Sequence, residues 1–343
     1  MALLTILIII VVVMALLFDF VNGWNDSANA IATIVGTRVL SPFVAVIFAA
    51  VLNLAGALVG NQVANTMSKM IQVSQHPSPA EQQTLMIIVI MGLASAAAWK
   101  VFMTLQGMPI SGSHSLIGGV VGAAVAASGI KILVTENIAK TLLAMLVAPV
   151  MGFVVAYFIY VALIWLTVSW RPSTMNRAFG KVQIFSAGCV AVTHGTNDAQ
   201  KVMGIITMAL VAGGFHTAGD GGKFVVPLWV QISCAAAISV GTAVGGWKVI
   251  KTLGHSLTKL GPPEGFAAET SAAFVLTIAA WLGIPTSTTH TLTGAIMGLG
   301  ATKGVSGVRW GLGEKIILAW VFTLPITAAT GGTLFYFYSL FVP

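Results

Sequence analysis

The stretch Gly23-Trp24-Asn25-Asp26 sets two adjacent polar side chains between long apolar runs. The same pattern returns 172 residues later as Gly195-Thr196-Asn197-Asp198, again with apolar sequence on both sides. Asn and Asp are rare in apolar runs, because a buried amide or carboxylate is costly unless it has a partner. This recurrence is the first sign that the chain consists of two related halves.

A second motif, rich in serine and threonine, also occurs twice. Pro109-Ile110-Ser111-Gly112-Ser113-His114-Ser115 returns 176 residues later as Pro285-Thr286-Ser287-Thr288-Thr289-His290-Thr291. Two motifs that recur in the same order at nearly equal offsets indicate an internal repeat. We therefore predict a first repeat over residues 1–169, a short basic linker over 170–181 and a second repeat over 182–343.

The composition of the chain indicates its environment. Of 343 residues, 16 are Lys or Arg, 9 are Asp or Glu, and 57% are hydrophobic. Soluble domains have about a quarter of their residues charged, so a soluble enzyme is excluded. An outer-membrane barrel is excluded too, because its strands alternate apolar and polar residues. The sequence predicts an all-α, polytopic membrane protein. Its net charge of +7 is scattered over loops and does not indicate nucleic-acid binding.

The apolar segments predict the number and direction of membrane crossings. At roughly 20 residues a span, we expect about 10–12 transmembrane helices, including broken or re-entrant ones. Each half has about five apolar segments. An odd number of crossings gives the second half the opposite orientation, as in transporters with inverted-topology repeats. The segments are Ala2–Val21, Phe43–Gln62, Thr84–Leu105, Ile110–Ala127, Ile138–Thr167, Val182–Met208, Phe224–Trp247, Phe266–Leu282, Thr286–Ala301 and Ile316–Phe341.

Loop charges predict the side of the membrane on which each loop lies. Cytoplasmic loops are enriched in Lys and Arg. The linker and the loop 247–264 each carry three such residues, whereas the loop 68–81 carries one. We therefore expect a multi-pass protein of the cell membrane, with the central loop in the cytoplasm and both termini outside.

The Gly-x-Asn-Asp pairs predict cation sites. Glycine permits the backbone to leave helical dihedral angles, so we expect the helices to break there and free carbonyl oxygens for a small hard cation such as Na⁺. The alternative is a helix cap bonded to a neighbouring helix. The candidate ligands are Asp26 and Asp198, with Asn25, Asn29 and Asn197 beside them.

The two Pro-x-Ser-x-Ser/Thr-His motifs predict an anion site. Proline ends one helix or opens the next, so the hydroxyls that follow lie at a helix N-terminus. Free N–H groups and the helix dipole favour an anion there. Two such ends, brought together, would form an oxyanion cage. The alternative is that the hydroxyls bond back to their own helix. The candidate residues are Ser111, Gly112, Ser113, Ser287, Thr288 and Thr289.

The histidines and cysteines admit several interpretations. His114 and His290 follow the hydroxyl clusters, and each is a packing group, a hydrogen-bond donor at the site or a proton carrier, since histidine titrates near neutrality. We expect a structural role for His194. The spacing of His and Cys is not typical of zinc or haem sites. Cys189 and Cys234 lie in apolar stretches and are expected to be buried hydrophobic residues.

Three other charged residues lie within or near apolar segments. Glu269 would pair with a lysine, line a path or bind a cation. Lys201 stands at the position that Asn29 holds in the first half, and it would contact the anion or neutralise Asp198. Lys100 is expected to extend to the membrane interface, as long basic side chains do.

Together these motifs resemble those of the inorganic phosphate transporter (PiT) family. The resemblance implies an inverted-repeat symporter for inorganic phosphate, driven by a Na⁺ or H⁺ gradient and assembled as a homodimer in the lipid bilayer. It implies that the coupling cations, with Na⁺ among them, bind at Asp26 and Asp198. It also implies that phosphate binds at the two hydroxyl clusters, with the amides of Asn25, Asn197 and Gln200 as further candidate phosphate ligands. The matching stretches are Phe18–Thr37, Pro109–Gly122, Gly195–Met208, Gly265–Ala273 and Pro285–Gly300.

The predicted function is therefore secondary active import of phosphate by alternating access, with no cofactor beyond the coupling ion. A sulfate or other tetrahedral oxyanion permease is the alternative, and a passive anion channel is a second. An enzyme is not expected, because Ser111 and His114 lie on one helical turn with no acid evident to orient the histidine. Na⁺ and H⁺ both remain open as the coupling ion, and the two hydroxyl clusters are unequal because Gly112 matches Thr288.

Overall fold

The computed structural model describes residues 2–71, 77–217 and 225–341, which form twelve α-helices. The all-α prediction is confirmed. The predicted segment that starts at Phe224 begins outside the described residues, as does part of the loop 68–81. The helices are α1 (Ala2–Gly36), α2 (Pro42–Ala57), α3 (Gln62–Ser68), α4 (Pro79–Leu105), α5 (Gly112–Ser128), α6 (Thr135–Leu166), α7 (Pro172–Ala212), α8 (Leu228–Val244), α9 (Trp247–Lys251), α10 (Pro262–Trp281), α11 (Thr288–Thr302) and α12 (Trp310–Phe341).

Long apolar helices and bent helix pairs account for the membrane-spanning character. Within the described residues, α1, α4, α6 and α12 are each long and apolar enough to cross a bilayer. The pair α2 and α3 bends by 71°, and α8 with the helical stretch Trp247–Ser256 bends by 64°. Counting each bent pair as one span gives up to six by length and composition. Gly60 (φ 76°) and Gly245 (φ 75°) lie at the bends, in a backbone region that only glycine adopts readily.

The helices that carry the Asn-Asp pairs are continuous, so the predicted breaks there are wrong. α1 runs unbroken through Gly23, and α7 runs unbroken through Gly195. A Cβ atom on Gly23 would overlap the carbonyl oxygen of Ile238 in α8, and one on Gly195 would overlap that of Asn53 in α2. These glycines therefore allow close helix packing, and the bends lie in the partner helices α2 and α8.

Helices from the two halves of the chain pack on each other. α1 packs on α8 and α7 on α2, while α5 packs on α12 and α11 on α6. A Cβ atom on Gly118 of α5 would overlap the carbonyl oxygen of Leu324 in α12, and one on Gly294 of α11 would overlap that of Pro149 in α6. The two halves are thus interleaved.

The buried apolar side chains form two large clusters. The first includes residues 4–18 of α1 on its buried face, and the second begins on the same helix at Ala28. The polar stretch between Phe18 and Ala28 therefore lies where the two clusters adjoin. This places the Asn-Asp pair of α1 deep inside the helix bundle.

Candidate functional site

Two helix N-termini begin at the serine-rich motifs, where the sequence predicts them. Ser111 is the N-cap of α5, and its hydroxyl oxygen accepts a hydrogen bond of 3.1 Å from the His114 backbone N–H. Ser287 is the N-cap of α11 and accepts one of 3.2 Å from the His290 backbone N–H. The same cap is thus built twice, once in each half. Each cap satisfies one of the free N–H groups of the first turn.

The two capped ends touch each other through matching contacts. Ser113 Oγ donates a hydrogen bond of 2.9 Å to the carbonyl oxygen of Thr286. Thr289 Oγ1 lies 3.3 Å from the carbonyl oxygen of Ile110. Thr289 and Thr286 lie 176 residues after Ser113 and Ile110, so the corresponding atoms approach each other in both directions, although the Thr289 hydroxyl donates its hydrogen to a carboxylate at the shorter distance of 3.0 Å. The ends of α5 and α11 are therefore adjacent, as the oxyanion-cage hypothesis requires.

The two carboxylates lie against the end of α11. Asp26 is 1% exposed and accepts a hydrogen bond of 3.0 Å from the Thr289 hydroxyl. Asp198 is 3% exposed and accepts one of 3.1 Å from the Thr288 hydroxyl. The Asn29 amide donates to both threonine hydroxyls, at 3.2 Å to Thr288 and 2.9 Å to Thr289. Side chains from α1, α7 and α11 thus meet in one polar centre.

Lys100 is part of this centre, contrary to the prediction that it extends to the membrane interface. Its side chain is fully buried, and its Nζ lies 2.9 Å from Asp26 Oδ2. The ammonium group also donates to Asn22 Oδ1. The prediction fails because α4 packs against α1, so that residue 100 faces the interior and finds a carboxylate there. Sequence alone signals only that a lysine lies within an apolar segment.

Lys201 forms the second ammonium–carboxylate pair. It is buried, it pairs with Asp198 one turn earlier on α7, and it donates a hydrogen bond of 2.7 Å to the carbonyl oxygen of Thr286. The contact with Asp198 corresponds to one of the two roles that the sequence leaves open, the neutralisation of this carboxylate. Each carboxylate of the repeated motif therefore has its own lysine.

His194 lies between the two carboxylates, although we predicted a structural role for it. Its Nε2 is 3.1 Å from Asp198 Oδ2 and 3.8 Å from Asp26 Oδ2. Its Nδ1 is 3.0 Å from Asn53 Oδ1, and the Asn53 amide donates to Thr242. Asn53 Oδ1 is therefore the acceptor, Nδ1 carries a hydrogen, and Nε2 is directed to the carboxylates. The sequence feature that could have indicated this position is the repeat itself: His194 matches Asn22, a polar residue, at the same offset of 172 residues.

The motif asparagines hold the helices together and leave oxygen atoms unused. The Asn25 amide donates to Thr104 Oγ1 at 2.7 Å, and that of Asn197 donates to the Leu276 carbonyl oxygen at 3.3 Å, a span of 79 residues in both cases. The Oδ1 atoms of Asn25, Asn29 and Asn197 are buried, and none has a hydrogen-bond partner among the described residues. Unpartnered amide oxygens inside a protein are of the type that binds Na⁺.

Gly112 and Gln200 have roles that the sequence did not indicate. A Cβ atom on Gly112 would overlap Asn22 Oδ1, so the hydroxyl-bearing side chain that matches Thr288 has no room there. Gln200 lies at the bend before α3: its Oε1 accepts from the Val63 backbone N–H at 3.0 Å, and its amide donates to the Val59 carbonyl oxygen at 3.0 Å. The structure therefore does not bring Gln200 to the two helix ends, since the backbone of the bend takes its polar atoms.

The paired histidines lie beside the polar centre and face an apolar cavity. The rings of His114 and His290 stack with centroids 4.7 Å apart, and His290 also stacks on Trp320 at 3.9 Å. Both line a mostly apolar cavity of about 370 Å³ between α6 and α12. His114 Nδ1 and His290 Nε2 are buried without a hydrogen-bond partner among the described residues.

Glu269 forms a second polar cluster close to the first. Its carboxylate accepts hydrogen bonds from the Thr33 hydroxyl at 2.6 Å, the Gln183 amide at 3.0 Å and the Ser186 hydroxyl. Within the described residues Glu269 has no ion-pair partner, so the predicted lysine partner is not found. Thr33 lies one turn after Asn29 on α1, which places this cluster next to the polar centre.

Comparison with known proteins agrees with this geometry. The model of the Phosphate transporter family matches residues 22–331. The chain belongs to this phosphate transporter family. It is similar to proteins described as probable low-affinity inorganic phosphate transporters. That of Bacillus subtilis (strain 168) is 39% identical over 336 residues, which cover 98% of both chains. That of Rhizobium meliloti (strain 1021) is 44% identical over 323 residues, covering 94% of this chain and 93% of the relative.

The fold is also that of a solved structure described as the sodium-dependent phosphate transporter. The TM-score is 0.85 at 24% sequence identity, covering 98% of this chain and 100% of that structure. The resemblance inferred from the doubled motifs is thus confirmed, and so is the expectation that this member of a transporter family is not an enzyme.

Proposed function

We propose that this chain imports inorganic phosphate across the cell membrane as a secondary active symporter driven by a Na⁺ or H⁺ gradient. The observation that carries the proposal is the meeting of two serine-capped helix N-termini beside two buried ammonium–carboxylate pairs. Helix N-termini favour oxyanions such as phosphate. Membership of the phosphate transporter family supports this choice of substrate.

In this proposal the capped ends of α5 and α11 bind the phosphate. Backbone N–H groups and hydroxyls supply hydrogen-bond donors without fixed charge. The contacting residues would be Ser111, Gly112, Ser113, Ser287, Thr288 and Thr289. The coupling cation would bind at Asp26 and Asp198 together with the unpartnered oxygens of the motif asparagines. His114, His290 and Glu269 remain candidates for the path or for proton linkage.

Transport requires this site to open alternately to the two sides of the membrane. In this structure the hydroxyl clusters, both aspartates and both lysines are at most 3% exposed. We propose that parts of the two predicted repeats move relative to each other, exposing the site first to one side and then to the other. We further propose a homodimer with the central loop in the cytoplasm and both termini outside.

Selectivity for phosphate over sulfate requires a chemical difference, because the two ions have similar shapes. Monohydrogen phosphate carries an O–H donor at neutral pH, whereas sulfate does not. A carboxylate directed at that hydrogen would reject sulfate by leaving an acceptor unpaired. Asp26 and Asp198 are the candidates, since both touch hydroxyls at the end of α11. Excess sulfate should then fail to compete with labelled phosphate.

Uptake of labelled phosphate into proteoliposomes tests the proposal. An inward Na⁺ gradient and an inward proton gradient are imposed separately, and accumulation above equilibrium is expected with at least one of them. Asp26→Ala combined with Asp198→Ala should abolish accumulation. Uptake that only equilibrates under every gradient would identify a passive channel, and unchanged uptake by the double variant would remove the cation role of the aspartates.

A further inference from the structure

Two buried lysines mark the two helix ends at which the proposed phosphate site lies. Lys201 Nζ and Ser113 Oγ both donate to the carbonyl oxygen of Thr286, at 2.7 and 2.9 Å. Thr286 directly precedes Ser287, the N-cap of α11. This ammonium group therefore shares an acceptor with the Ser113 hydroxyl of one helix end, at the residue before the cap of the other.

Lys100 has the corresponding place at the start of α5. Gly112 is the first residue of that helix, and a Cβ atom on it would lie only 2.8 Å from Lys100 Nζ. The side chain that is missing at Gly112 thus leaves the space that the ammonium and Asn22 occupy. The Lys100 ammonium thus lies beside Gly112 of α5, near the place where the matching residue of α11, Thr288, has its hydroxyl.

The lysines come from different helices, yet each is bound to the matched carboxylate of the repeat. Lys100 of α4 pairs with Asp26, and Lys201 of α7 pairs with Asp198. A buried ammonium is costly without an acceptor or a counter-charge. Two acceptors of different kinds are therefore within reach of each lysine once the site is loaded: the carboxylate, and an oxyanion at the helix end.

We infer that Lys100 and Lys201 are phosphate ligands, which Asp26 and Asp198 hold in this conformation and release to the phosphate when the coupling cation binds the carboxylates. The inference rests on the proposed function and names two ligands for its site. The cation and the ammonium compete for one carboxylate, so cation binding frees a charged donor for phosphate. By linkage, phosphate then favours cation binding to the same degree. This competition couples the two substrates directly.

A rival explanation is that the lysines only neutralise the aspartates. Substituting a lysine alone does not separate the two explanations, because it leaves a buried carboxylate that repels phosphate and destabilises the fold. Replacing both members of a pair by neutral residues removes that difficulty. Such double variants contain no uncompensated buried charge from the pair. In the matching aspartate variants the remaining ammonium keeps an oxygen acceptor, which is the Thr286 carbonyl for Lys201 and Asn22 Oδ1 for Lys100.

Equilibrium binding of labelled inorganic phosphate to the purified full-length protein provides the test. Asp198→Asn is compared with the same variant carrying Lys201→Asn, and Asp26→Asn with the same variant carrying Lys100→Gln. Loss of a charged donor should weaken phosphate binding about tenfold or more in each double variant relative to its aspartate variant. Lys201→Asn introduces the residue type that the first half has at the matching position, Asn29.

The exposed pair Glu136 and Lys140 provides the matched control. Its neutral double variant should bind phosphate like the wild type, with thermal unfolding measured for every variant. Lysine substitutions that change phosphate affinity by less than about twofold when the aspartate is already neutral would overturn the inference. A wild-type protein that binds no phosphate would instead overturn the proposed function.

Discussion

The Ser113 hydroxyl donates a hydrogen bond to the carbonyl oxygen of Thr286, 2.9 Å away, and joins two helix ends that lie 173 residues apart in the chain. The contact has a counterpart between Thr289 and Ile110. Because Thr286 precedes the cap of α11, a change at Ser113 affects both helix ends. This relationship gives a direct test of the proposed phosphate site.

Ser113→Ala is expected to weaken phosphate uptake while the protein still folds. A lost hydrogen bond costs about 0.5–1.5 kcal/mol. Because the Ser113 hydroxyl is also a proposed donor to phosphate, the KM for phosphate should rise several-fold. Ser115→Ala is the matched control, because the Ser115 hydroxyl is equally buried but bonds back to the Ser111 carbonyl oxygen of its own helix. Equal effects of the two variants on KM would contradict the assignment.

Gly112→Ala is expected to abolish phosphate uptake. The new methyl group would overlap Asn22 Oδ1 and crowd Lys100 Nζ, so both side chains would have to move and the ion pair of Lys100 with Asp26 would be disturbed. Gly311→Ala is the control, since no atom lies within 4 Å of the added methyl group. Uptake by the Gly112 variant at the wild-type rate would show that Lys100 is not held as described.

Gly195→Ala should lower the thermal unfolding temperature, because its methyl group would overlap the Asn53 carbonyl oxygen and push α7 from α2. Overpacking of this kind costs typically about 1–3 kcal/mol. Gly180→Ala, on the same helix, meets only Val39 at 3.7 Å and should not lower the unfolding temperature; it should raise it slightly, because alanine favours the helix over glycine. If Gly195 instead provided a flexible break, the alanine would stabilise the helix.

Gln200→Ala is expected to destabilise the bend between α2 and α3 and to leave phosphate affinity unchanged. The backbone N–H of Val63 and the carbonyl oxygen of Val59 would lose their partner, at a cost of about 1–3 kcal/mol for each group that stays buried. Unfolding temperature and equilibrium phosphate binding are measured together. Weaker phosphate binding at an unchanged unfolding temperature would instead show that Gln200 is a phosphate ligand.

Glu269→Ala is expected to lower both stability and uptake. The Thr33 hydroxyl and the Gln183 amide would lose their common acceptor, and each buried unpaired group costs about 1–3 kcal/mol. Glu136→Ala is the control, because its ion pair with Lys140 is exposed and should not affect the unfolding temperature. Wild-type stability in the Glu269 variant would contradict the described hydrogen bonds.

Much of the site could be predicted because the residues with suitable side chains are also the ones that recur in both halves of the chain. Asp26 and Asp198 recur at a fixed offset, and Ser111 and Ser287 lie two residues after prolines, which predicts that both hydroxyl clusters lie at helix N-termini. The broken helices were predicted too, but at the wrong glycines. Local sequence shows that Gly23 permits a break, whereas only its close approach to α8 shows that it serves packing.

The sequence by itself determined the membrane environment, the two-fold recurrence of the motifs and the starts of α5 and α11. These follow from composition and from local backbone chemistry, which act within a few residues. Only the tertiary structure decided that Lys100 pairs with Asp26, that His194 lies between both carboxylates and that Gln200 lies away from the helix ends. Those contacts depend on which helix faces pack together, and that choice is made by the interleaving of both halves.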